Sequence, residues 1–327
     1  MRAVVIARPG GPEVLEVREV ADPVPGPDDL LVRVRAAGVN RADILQRMGG
    51  YPQPGPRGPH EIPGLEFAGE VLEAGWRVEG FRPGDRVMGL LAGEGYAELV
   101  SVNARHCVLV PPSLSWEEAG GTPETAITAL DALLQCGLAP GERVLIHAVG
   151  SGVGTHALQI AKMMGASLVL GTAGSDEKLA RARELGLDVG INYRTESFPD
   201  VVREATEGRG VDVILDVVGA SYLGENLRSL SPKGRMIVVG LLGGSKAELD
   251  LGMLLRGRLQ VRGTTLRARP LEEKAAAVRA FEKMVLPHLA SGRIRTVVDR
   301  VFPLEQVADA HRYMEANANF GKIVLRL

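Results

Sequence analysis

The chain has 327 residues, of which 45% are hydrophobic and 24% are charged, and its formal net charge is −2 at pH 7. This composition is typical of a globular protein with room for two domains. The near-neutral charge gives no indication of a nucleic-acid partner or of an anionic membrane surface, and no apolar run approaches the ~20 residues that span a bilayer.

Two cysteines, Cys107 and Cys136, stand in different segments of the chain. We expect both thiols to be unpaired and buried, as is usual in a reducing compartment. The N-terminal sequence MRAVVIARPGG lacks the apolar core and the small-residue cleavage site of a secretory signal. These features together predict a cytoplasmic protein whose first residues form a strand.

The first 122 residues are predicted to form a β-rich domain, since turn signals such as Pro25–Asp29 and Arg82–Asp85 separate short alternating segments. One short helix is predicted over Arg41–Arg47. The proline-rich stretch from Gly49 to Gly64 is predicted to be irregular, either as a rigid surface loop or as a wall over a site. The predicted strands are Ala3–Ile6, Leu15–Val20, Leu30–Ala36, Glu66–Glu73, Arg86–Leu90 and Ala97–Val102.

A nucleotide-binding pattern occupies the middle of the chain. The apolar run Val144–Val149 is too short for a helix and is predicted to be a buried parallel strand. Gly150, Gly152 and Gly154 follow it, and a helical pattern then runs to Gly165. This arrangement suits a dinucleotide pyrophosphate, because glycine admits the phosphates and the helix N-terminus offers free N–H groups. The alternative is a tight turn in an unrelated α/β domain.

Strands and helices alternate from this point to about residue 265, which predicts a doubly wound parallel sheet with its ligand at the carboxyl edge. We predict an α/β protein in which residues 123–265 are inserted into a domain formed by residues 1–122 plus 266–327. The further predicted strands are Ser167–Ala173, Val189–Tyr193, Val211–Val218, Arg235–Val239, Leu259–Leu266 and Lys322–Leu327. The predicted helices are Thr125–Cys136, Ser175–Leu185, Phe198–Thr206, Gly224–Leu230, Leu271–Leu289 and Pro303–Ala316, with a capping box over Ser115–Glu118.

Eight segments spread over the chain resemble the medium-chain dehydrogenase/reductase superfamily. They are GGPEVLEV, GVNRADILQR, PGLEFAGEV, GDRVMGL, HAVGSGVG, INYR, LDVVG and FGKIVL. Within the superfamily the chain is similar to the zeta-crystallin-like quinone oxidoreductases, in the branch of the tumour-suppressor-inducible enzyme. The resemblance implies a GroES-like catalytic domain, a Rossmann domain, NADPH, and a homodimer or homotetramer built by edge-to-edge sheet extension.

The resemblance also implies which residues contact the cofactor. The family's glycine pattern is A-x-x-G-x-x-G, and Ser151 takes the middle position here, with Gly152 beside it. Asn40 and Thr128 are expected near the nicotinamide, and Lys322 is expected near the pyrophosphate. The complete predicted set is Asn40, Thr128, Ser151, Gly152, Val153, Gly174, Ser175, Lys178, Tyr193, Val218, Gly240, Leu241, Leu242, Thr265, Leu266, Arg267 and Lys322.

The end of the second Rossmann strand bears on the choice between NAD and NADP. NAD-specific domains carry an acid there for the ribose 2′-hydroxyl, but this chain has Ala173. Lys178 lies one turn into the next helix and Tyr193 at the end of the third strand, and the resemblance implies that both bind a 2′-phosphate together with Gly174 and Ser175. The alternative is that Lys178 is a solvated helix residue and Tyr193 a strand-end aromatic.

The positions that bind catalytic zinc in metal-dependent relatives hold other residues. The first is Asn40, the second is Leu65, and the third falls within residues 121–124, which contain no Cys or His. Tetrahedral catalytic zinc needs three protein ligands, so we predict that the protein needs no metal.

The leading functional hypothesis is an NADPH-dependent reductase of quinones, with ortho-quinones as the expected substrates. The alternatives are an NADPH-dependent alkene reductase and a non-enzymatic nucleotide-binding sensor or structural protein. A hydroquinone anion can take a proton from water, whereas an alkene carbon needs a placed acid. Since Asn40 to Tyr51 and Leu65-Glu66 offer no His or Cys, we predict a site without essential acid–base catalysis.

The predicted catalytic residues are Tyr51 and Asn40. We expect Tyr51 to stack on a flat quinone and hydrogen-bond its oxygen, and Asn40 to donate a hydrogen bond to the nicotinamide ribose or the oxyanion. Asp43 is expected to cap or brace the helix that follows Asn40. The alternative for Tyr51 is that it only packs the loop.

Overall fold

The computed structural model describes residues 1–55 and 59–327. The chain divides into two compact units, one formed by Met1–Ile127 with Leu266–Leu327 and the other by Thr128–Thr265. The division predicted from the sequence places the first boundary at residues 122 and 123 instead. Residues 56–58 of the proline-rich stretch lie outside the described residues. No helix in the described ranges is long and apolar enough to cross a membrane.

The N-terminal part of the first unit is built mostly from strands. Its first two helices start with capping boxes, in which a carboxylate accepts the N–H of Asn40 or Ser115 and satisfies a free helix-end donor. Both starts were predicted from the sequence and are confirmed. The elements are β1 (Arg2–Ile6), β2 (Leu15–Glu19), β3 (Asp29–Val39), α1 (Arg41–Arg47), β4 (Glu66–Ala74), β5 (Arg86–Leu90), β6 (Leu99–Asn103), β7 (Cys107–Leu109), α2 (Trp116–Gly120) and the start of α3 (Pro123–Gln135), whose residues from Thr128 onward belong to the second unit.

The second unit alternates strands and helices, as predicted. Its elements are β8 (Arg143–Ile146), α4 (Gly152–Met163), β9 (Leu168–Ala173), α5 (Asp176–Arg183), β10 (Val189–Asn192), α6 (Phe198–Ala205), β11 (Val211–Asp216), α7 (Leu223–Ser229), β12 (Leu230–Val238), α8 (Leu251–Gly257) and β13 (Gln260–Gly263). The strands pair in parallel in the order β10-β9-β8-β11-β12-β13. The strand order reverses between β8 and β11, and ligands of doubly wound sheets bind at the carboxyl ends of such a pair.

The chain then returns to the first unit through α9 (Leu271–Met284), α10 (Leu286–Ala290), β14 (Val298–Pro303), α11 (Val307–Glu315) and β15 (Lys322–Arg326). The single helix predicted over Leu271–Leu289 is wrong, because it breaks at Val285, two residues before Pro287, whose nitrogen carries no hydrogen. The strand β14 was not predicted.

A mixed sheet organises the first unit, in the order β14-β15-β3-β4-β5-β7, with β6 also paired to β3. The C-terminal strand β15 lies antiparallel to β3, with Ile323 opposite Val39 and Arg326 opposite Ala36. The apolar side chains of these strands form one buried cluster that includes Val32, Val34 and Phe67. The sheet places the ends of β3, β4 and β15 beside one another, and the polar residues described below lie there.

Candidate functional site

The glycine turn of the second unit links β8 to α4. The chain leaves β8 at Ile146, earlier than the predicted Val149, because Ala148 turns in the left-handed region with φ of 50°. Ser151 is the N-cap of α4, and its hydroxyl accepts the Gly154 N–H at 3.0 Å. The predicted contacts Ser151, Gly152 and Val153 therefore form the N-terminus of a 12-residue helix, where an anion is stabilised.

Gly154 allows this turn to close. A Cβ built at this residue would lie 2.4 Å from the Ala148 oxygen and 2.7 Å from the Val149 Cα, and both are backbone atoms. Only glycine lets α4 approach the end of β8 this closely. The turn thus has the close helix–strand packing that the last glycine of a dinucleotide motif provides.

The predicted 2′-phosphate residues come together at the ends of β9 and β10. The Ser175 hydroxyl accepts the Lys178 N–H at the start of α5, and the Tyr193 hydroxyl would lie 2.6 Å from a Cβ built at Gly174. Arg194, which the sequence analysis missed, brings its Nε within 3.4 Å of the same point. The carboxylate of Asp176, in the first turn of α5, accepts the Asn192 amide at 3.0 Å.

The loops after β11 and β12 are also joined, as their predicted role at one edge requires. The N–H of Leu242 donates to the Val217 oxygen, and the N–H of Gly243 donates to the Val218 oxygen. Of the predicted contacts, Leu241 and Leu242 are exposed, as is Thr265, whereas Thr128, Val218 and Gly240 are partly buried.

A buried ion pair lies at the ends of β3, β4 and β15 in the first unit. The Lys322 ammonium donates to the Glu66 carboxylate at 2.7 Å, to the Asn40 side-chain oxygen at 2.7 Å and to the Val39 carbonyl at 2.9 Å. The Asn40 amide donates to Glu66 at 2.9 Å and to the Gly38 carbonyl at 3.3 Å. Every hydrogen on these two nitrogens therefore has an acceptor inside the first unit.

A second buried carboxylate, Asp43, braces the same region, as predicted. It accepts the N–H groups of Asn40 and Gly64 and the hydroxyl of Tyr96, at 2.8, 3.1 and 2.8 Å respectively. Burial raises the pKa of Asp43 to about 6, although these hydrogen bonds lower it in part.

Tyr51 is held by Arg267, and the two predicted residues thus meet. The guanidinium lies 5.1 Å from the centre of the Tyr51 ring and donates to the Tyr51 carbonyl at 2.9 Å. Its other nitrogens donate to the Ala92 carbonyl and to the side chain of Gln46, and Arg267 is buried. Leu266, beside it, is also buried. This contact supports the ring of Tyr51 from one face.

Comparisons with known proteins bear on both units. Residues 26–112 match the family described as Alcohol dehydrogenase GroES-like domain, and residues 152–283 match the family described as Zinc-binding dehydrogenase. The quinone oxidoreductase of Lama guanicoe is 34% identical over an alignment of 333 residues that covers 100% of this chain and 98% of that protein. The chain belongs to the medium-chain dehydrogenase/reductase superfamily.

Two solved structures of this superfamily share the whole fold. The Escherichia coli quinone oxidoreductase, solved in complex with NADPH, gives a TM-score of 0.91 at 29% identity and covers 100% of both chains. A 2-haloacrylate reductase gives a TM-score of 0.84 at 31% identity and covers 100% of this chain and 99% of that chain. The predicted fold class and the resemblance to quinone oxidoreductases are confirmed, and the chain is an oxidoreductase of this superfamily.

The superfamily's first metal-ligand position, Asn40, contacts the Lys322 ammonium in this protein. Within residues 1–55 and 59–327, no group of three or more His, Cys, Asp or Glu side chains is arranged to hold a metal ion. The donor set at this position consists of an amide, one carboxylate and an ammonium, which does not match the set that tetrahedral zinc requires.

The sequence analysis overlooked Glu124, which lies in the first turn of α3 beside this cluster. Its backbone N–H donates to Glu66 at 2.9 Å. The side chain of Glu124 is partly buried. This desolvation, together with the charge of Glu66, raises the pKa of Glu124 to about 8. The group is therefore a neutral carboxylic acid at pH 7, able to donate a proton. Its signal in the sequence is weak, because an acid in a first helical turn is common.

Glu124→Gln is expected to remove a loss of stability that occurs as the pH rises. The folded state binds the Glu124 proton up to about pH 8, whereas the unfolded chain releases it near the ordinary value of 4.5. Stability therefore falls between these values as pH increases, and glutamine, which never ionises, avoids the loss. We expect the variant to be more stable than the wild type at pH 8, by about 1–3 kcal/mol, and to differ little at pH 5.

Denaturant unfolding at a series of pH values measures this difference. Glu177→Gln is the matched control, because Glu177 occupies the same position in the first turn of α5 but is exposed. A constant difference between Glu124→Gln and the wild type across the pH range would contradict the assignment of a neutral carboxyl group.

Proposed function

We propose that the protein is an NADPH-dependent reductase whose substrates are quinones, ortho-quinones above all, and that it needs no metal. The observation that carries the proposal is the carboxyl edge of the second unit. There, a glycine turn opens α4, and Tyr193 and Arg194 lie beside Gly174, which follows Ala173, the position where NAD-specific domains carry an acid. The likeness to quinone oxidoreductases supports the same reading.

The residues at this edge fit the cofactor. Gly154 lets α4 start close against the end of β8, and the N-terminus of this helix, at Gly152 and Val153, suits a pyrophosphate. A 2′-phosphate carries close to two negative charges, which Lys178 and Arg194 would balance while Tyr193 and Ser175 offer hydroxyls. NADPH, when bound, supplies a hydride.

The first unit would orient the substrate rather than exchange protons with a quinone. Burial raises the pKa of Tyr51, so its phenol is a hydrogen-bond donor at neutral pH, and Arg267 fixes its ring. Asn40 is held by Lys322 and Glu66, so we assign it a bracing part in the orientation of this region. A reduced ortho-quinone then needs only a hydrogen bond to its oxyanion until water protonates it.

The reaction is tested by following NADPH oxidation with a panel of ortho-quinones, para-quinones, enones and a blank, in the presence and absence of a strong chelator. We expect the ortho-quinones to give the highest kcat/KM, unchanged by the chelator. If no compound in the panel caused NADPH to be oxidised, the result would favour the non-enzymatic alternative. If the chelator removed stoichiometric zinc and activity was lost with it, the result would overturn the metal-free assignment.

Lys178→Ala is expected to raise the KM for NADPH with little effect on the KM for NADH. Losing one charge-assisted contact to a phosphate corresponds to about 1.5–3 kcal/mol, or roughly 10- to 150-fold in KM. Steady-state kinetics with both cofactors measures the effect. Arg209→Ala, which removes an exposed cation at the start of β11, is the control and should change neither value. Equal KM values for the two cofactors in the wild type would refute the preference.

Tyr51→Phe is expected to lower kcat/KM for ortho-quinones by about tenfold or less, near the value of one hydrogen bond. The phenylalanine keeps the ring beside Arg267, so Tyr51→Ala should lower kcat/KM further by removing the stacking surface. Tyr313→Phe is the control, because its hydroxyl bonds Asp299 in the same unit. A thousandfold loss in Tyr51→Phe would instead show that the phenol is an essential proton donor.

An alkene reductase is the second candidate, and Glu124 is the observation that favours it. Reduction of an enone must protonate carbon, and Glu124 is a neutral acid at pH 7. The 2-haloacrylate reductase has the same fold. Assays of Glu124→Gln separate the candidates, since a quinone reductase should keep its activity in this variant and an alkene reductase should lose it.

A homo-oligomer is proposed from the edge of the second unit's sheet. All four residues of β13 are exposed, and the neighbouring α8 exposes Leu251 and Leu255 to solvent. An unpaired edge strand beside apolar side chains is suited to pairing with a second copy. Light scattering of the purified protein distinguishes a dimer or tetramer from a monomer.

A further inference from the structure

Four buried polar side chains form a hydrogen-bonded network beneath the carboxyl edge of the second unit's sheet. Thr172 lies 3.1 Å from Nδ1 of His147, and the His147 Nε2 lies 2.7 Å from the Asn226 oxygen. The Asn226 amide then donates to the Asp216 carboxylate at 3.2 Å. All four side chains are buried, with at most 1% of each exposed. This network takes no part in the reaction or in the cofactor contacts described above.

The direction of each hydrogen bond follows from the carboxylate end. Asp216 accepts, so the Asn226 nitrogen faces it and the Asn226 oxygen faces His147. The His147 Nε2 must therefore carry the hydrogen, and its Nδ1 accepts from the Thr172 hydroxyl. Burial lowers the pKa of His147 to about 4, which keeps the ring neutral and this tautomer intact at pH 7. The rings of Phe198 and Tyr222, each centred 4.9 Å away, hold the imidazole edge-on.

The two ends of this network form hydrogen bonds with two different loops. At one end, the Thr172 oxygen accepts the N–H of Ala148 at 3.2 Å, in the residue with positive φ that starts the glycine turn. At the other end, Asp216 accepts the N–H of Val218 at 2.6 Å and that of Gly219 at 3.1 Å. The loops after β8 and β11 flank the point where the strand order reverses, and the side chains Thr172, His147, Asn226 and Asp216 connect them.

We propose that Thr172, His147, Asn226 and Asp216 are positioning residues that hold the loops after β8 and β11 in the conformation that receives the dinucleotide. The proposal rests on the proposed function, because it assigns the cofactor to this edge. The network restrains both loops, since a shift of Ala148 must break the hydrogen bond from its N–H to the buried Thr172 hydroxyl. Preorganised loops bind more tightly because less conformational freedom is lost on binding.

Thr172→Val tests the role of the network, because valine has the same shape as threonine but neither donates to His147 nor accepts from Ala148. We expect the Kd for NADPH, measured by fluorescence titration without substrate, to rise about tenfold. The KM for NADPH should rise similarly, with the quinone KM and the kcat at saturating NADPH nearly unchanged. The amides of Ala148 and Gly219 should exchange with deuterium faster than in the wild type. Thr172→Ser restores the hydroxyl and should restore both the affinity and the protection.

Thr206→Val is the matched control. The Thr206 hydroxyl is equally buried in the same unit, donates to the Val202 carbonyl at 2.6 Å and accepts the Gly210 N–H at 2.9 Å, next to the start of β11. We expect a similar loss of thermal stability in both valine variants but a Kd for NADPH within about twofold of the wild type in Thr206→Val. Asn226→Leu interrupts the hydrogen-bonded network at a second point and should raise the Kd for NADPH as much as Thr172→Val does.

Equal Kd values in Thr172→Val and Thr206→Val would overturn the proposal. An independent readout is the nitrogen NMR spectrum of the wild type, in which His147 should be the neutral Nε2–H tautomer between pH 5 and 8. An Nδ1–H tautomer would also overturn it. The wild type could show this tautomer and the amide protection but fail to bind NADPH. That result would contradict the proposed function instead, and the network would then be a structural feature only.

Discussion

Replacing Lys322 with methionine is expected to destabilise the folded protein by about 3–5 kcal/mol. The Lys322 and Glu66 side chains are 2% and 0% exposed, so the variant leaves an uncompensated carboxylate inside the first unit. Asn40 also loses the partner of its oxygen. Water cannot replace the ammonium at such a buried position without opening the ends of β3, β4 and β15, and this is why the cost exceeds that of an ordinary ion pair.

Denaturant unfolding of three variants and the wild type checks this expectation. Lys162→Met is the matched control, because it breaks the pair of Lys162 and Asp188, whose side chains are 32% and 34% exposed. It should cost less than about 1 kcal/mol. Adding Glu66→Gln to Lys322→Met removes the unpaired charge and should recover part of the loss. If Lys322→Met cost no more than Lys162→Met, the pair would not be buried in solution.

Replacing Gly154 with alanine is expected to raise the Kd for NADPH by about a hundredfold or more and to destabilise the second unit by about 1–3 kcal/mol. The added methyl group would overlap the backbone of Ala148 and Val149, at 2.4 and 2.7 Å, so α4 must move away from β8. Its first N–H groups would then no longer meet at the position that suits a pyrophosphate.

Equilibrium titration with NADPH and thermal unfolding measure the two effects. Gly224→Ala is the control, because a Cβ built there meets no atom within 4 Å and the residue lies in the helix α7. It should leave the affinity unchanged and stabilise the protein slightly, as alanine does in helices. An unchanged affinity in Gly154→Ala would contradict the assignment of the cofactor to this turn.

Local sequence patterns predicted the parts of the fold that local physics determines. The helix over Arg41–Arg47 was predicted at its observed bounds, because Asn40 and Asp43 form its capping box. The strand over Arg86–Leu90 was also predicted at its observed bounds, since apolar residues and turns delimit it. The parallel sheet followed from the alternation of strands and helices. The end of β8 was missed because Val149 continues the apolar run, whereas the positive φ of Ala148 turns the chain.

Contacts between distant residues could not be predicted. Glu66 and Lys322 are separated by 256 positions, and nothing near either residue indicates an ion pair. The strand β14 was missed because it is defined by pairing with β15. The raised pKa of Glu124 likewise depends on Glu66, which only folding brings near. Residues such as Arg267 were predicted from resemblance alone, and the buried contacts that hold its guanidinium were visible only in the structure.

The antiparallel pairing of β15 with β3 has a consequence for the order of events during synthesis. The Lys322 ammonium and the Val39 carbonyl that it binds are 283 residues apart, so this bond forms only after Lys322 has left the ribosome. Thr128–Thr265 is continuous and can fold as soon as it emerges, whereas the sheet of the first unit must wait for its last strand. Throughout that interval, β3 has an open edge where β15 will bind, and the Glu66 carboxylate lacks its cation. An open edge of this kind is a template for pairing with another chain, so we expect the nascent protein to need protection until β15 emerges.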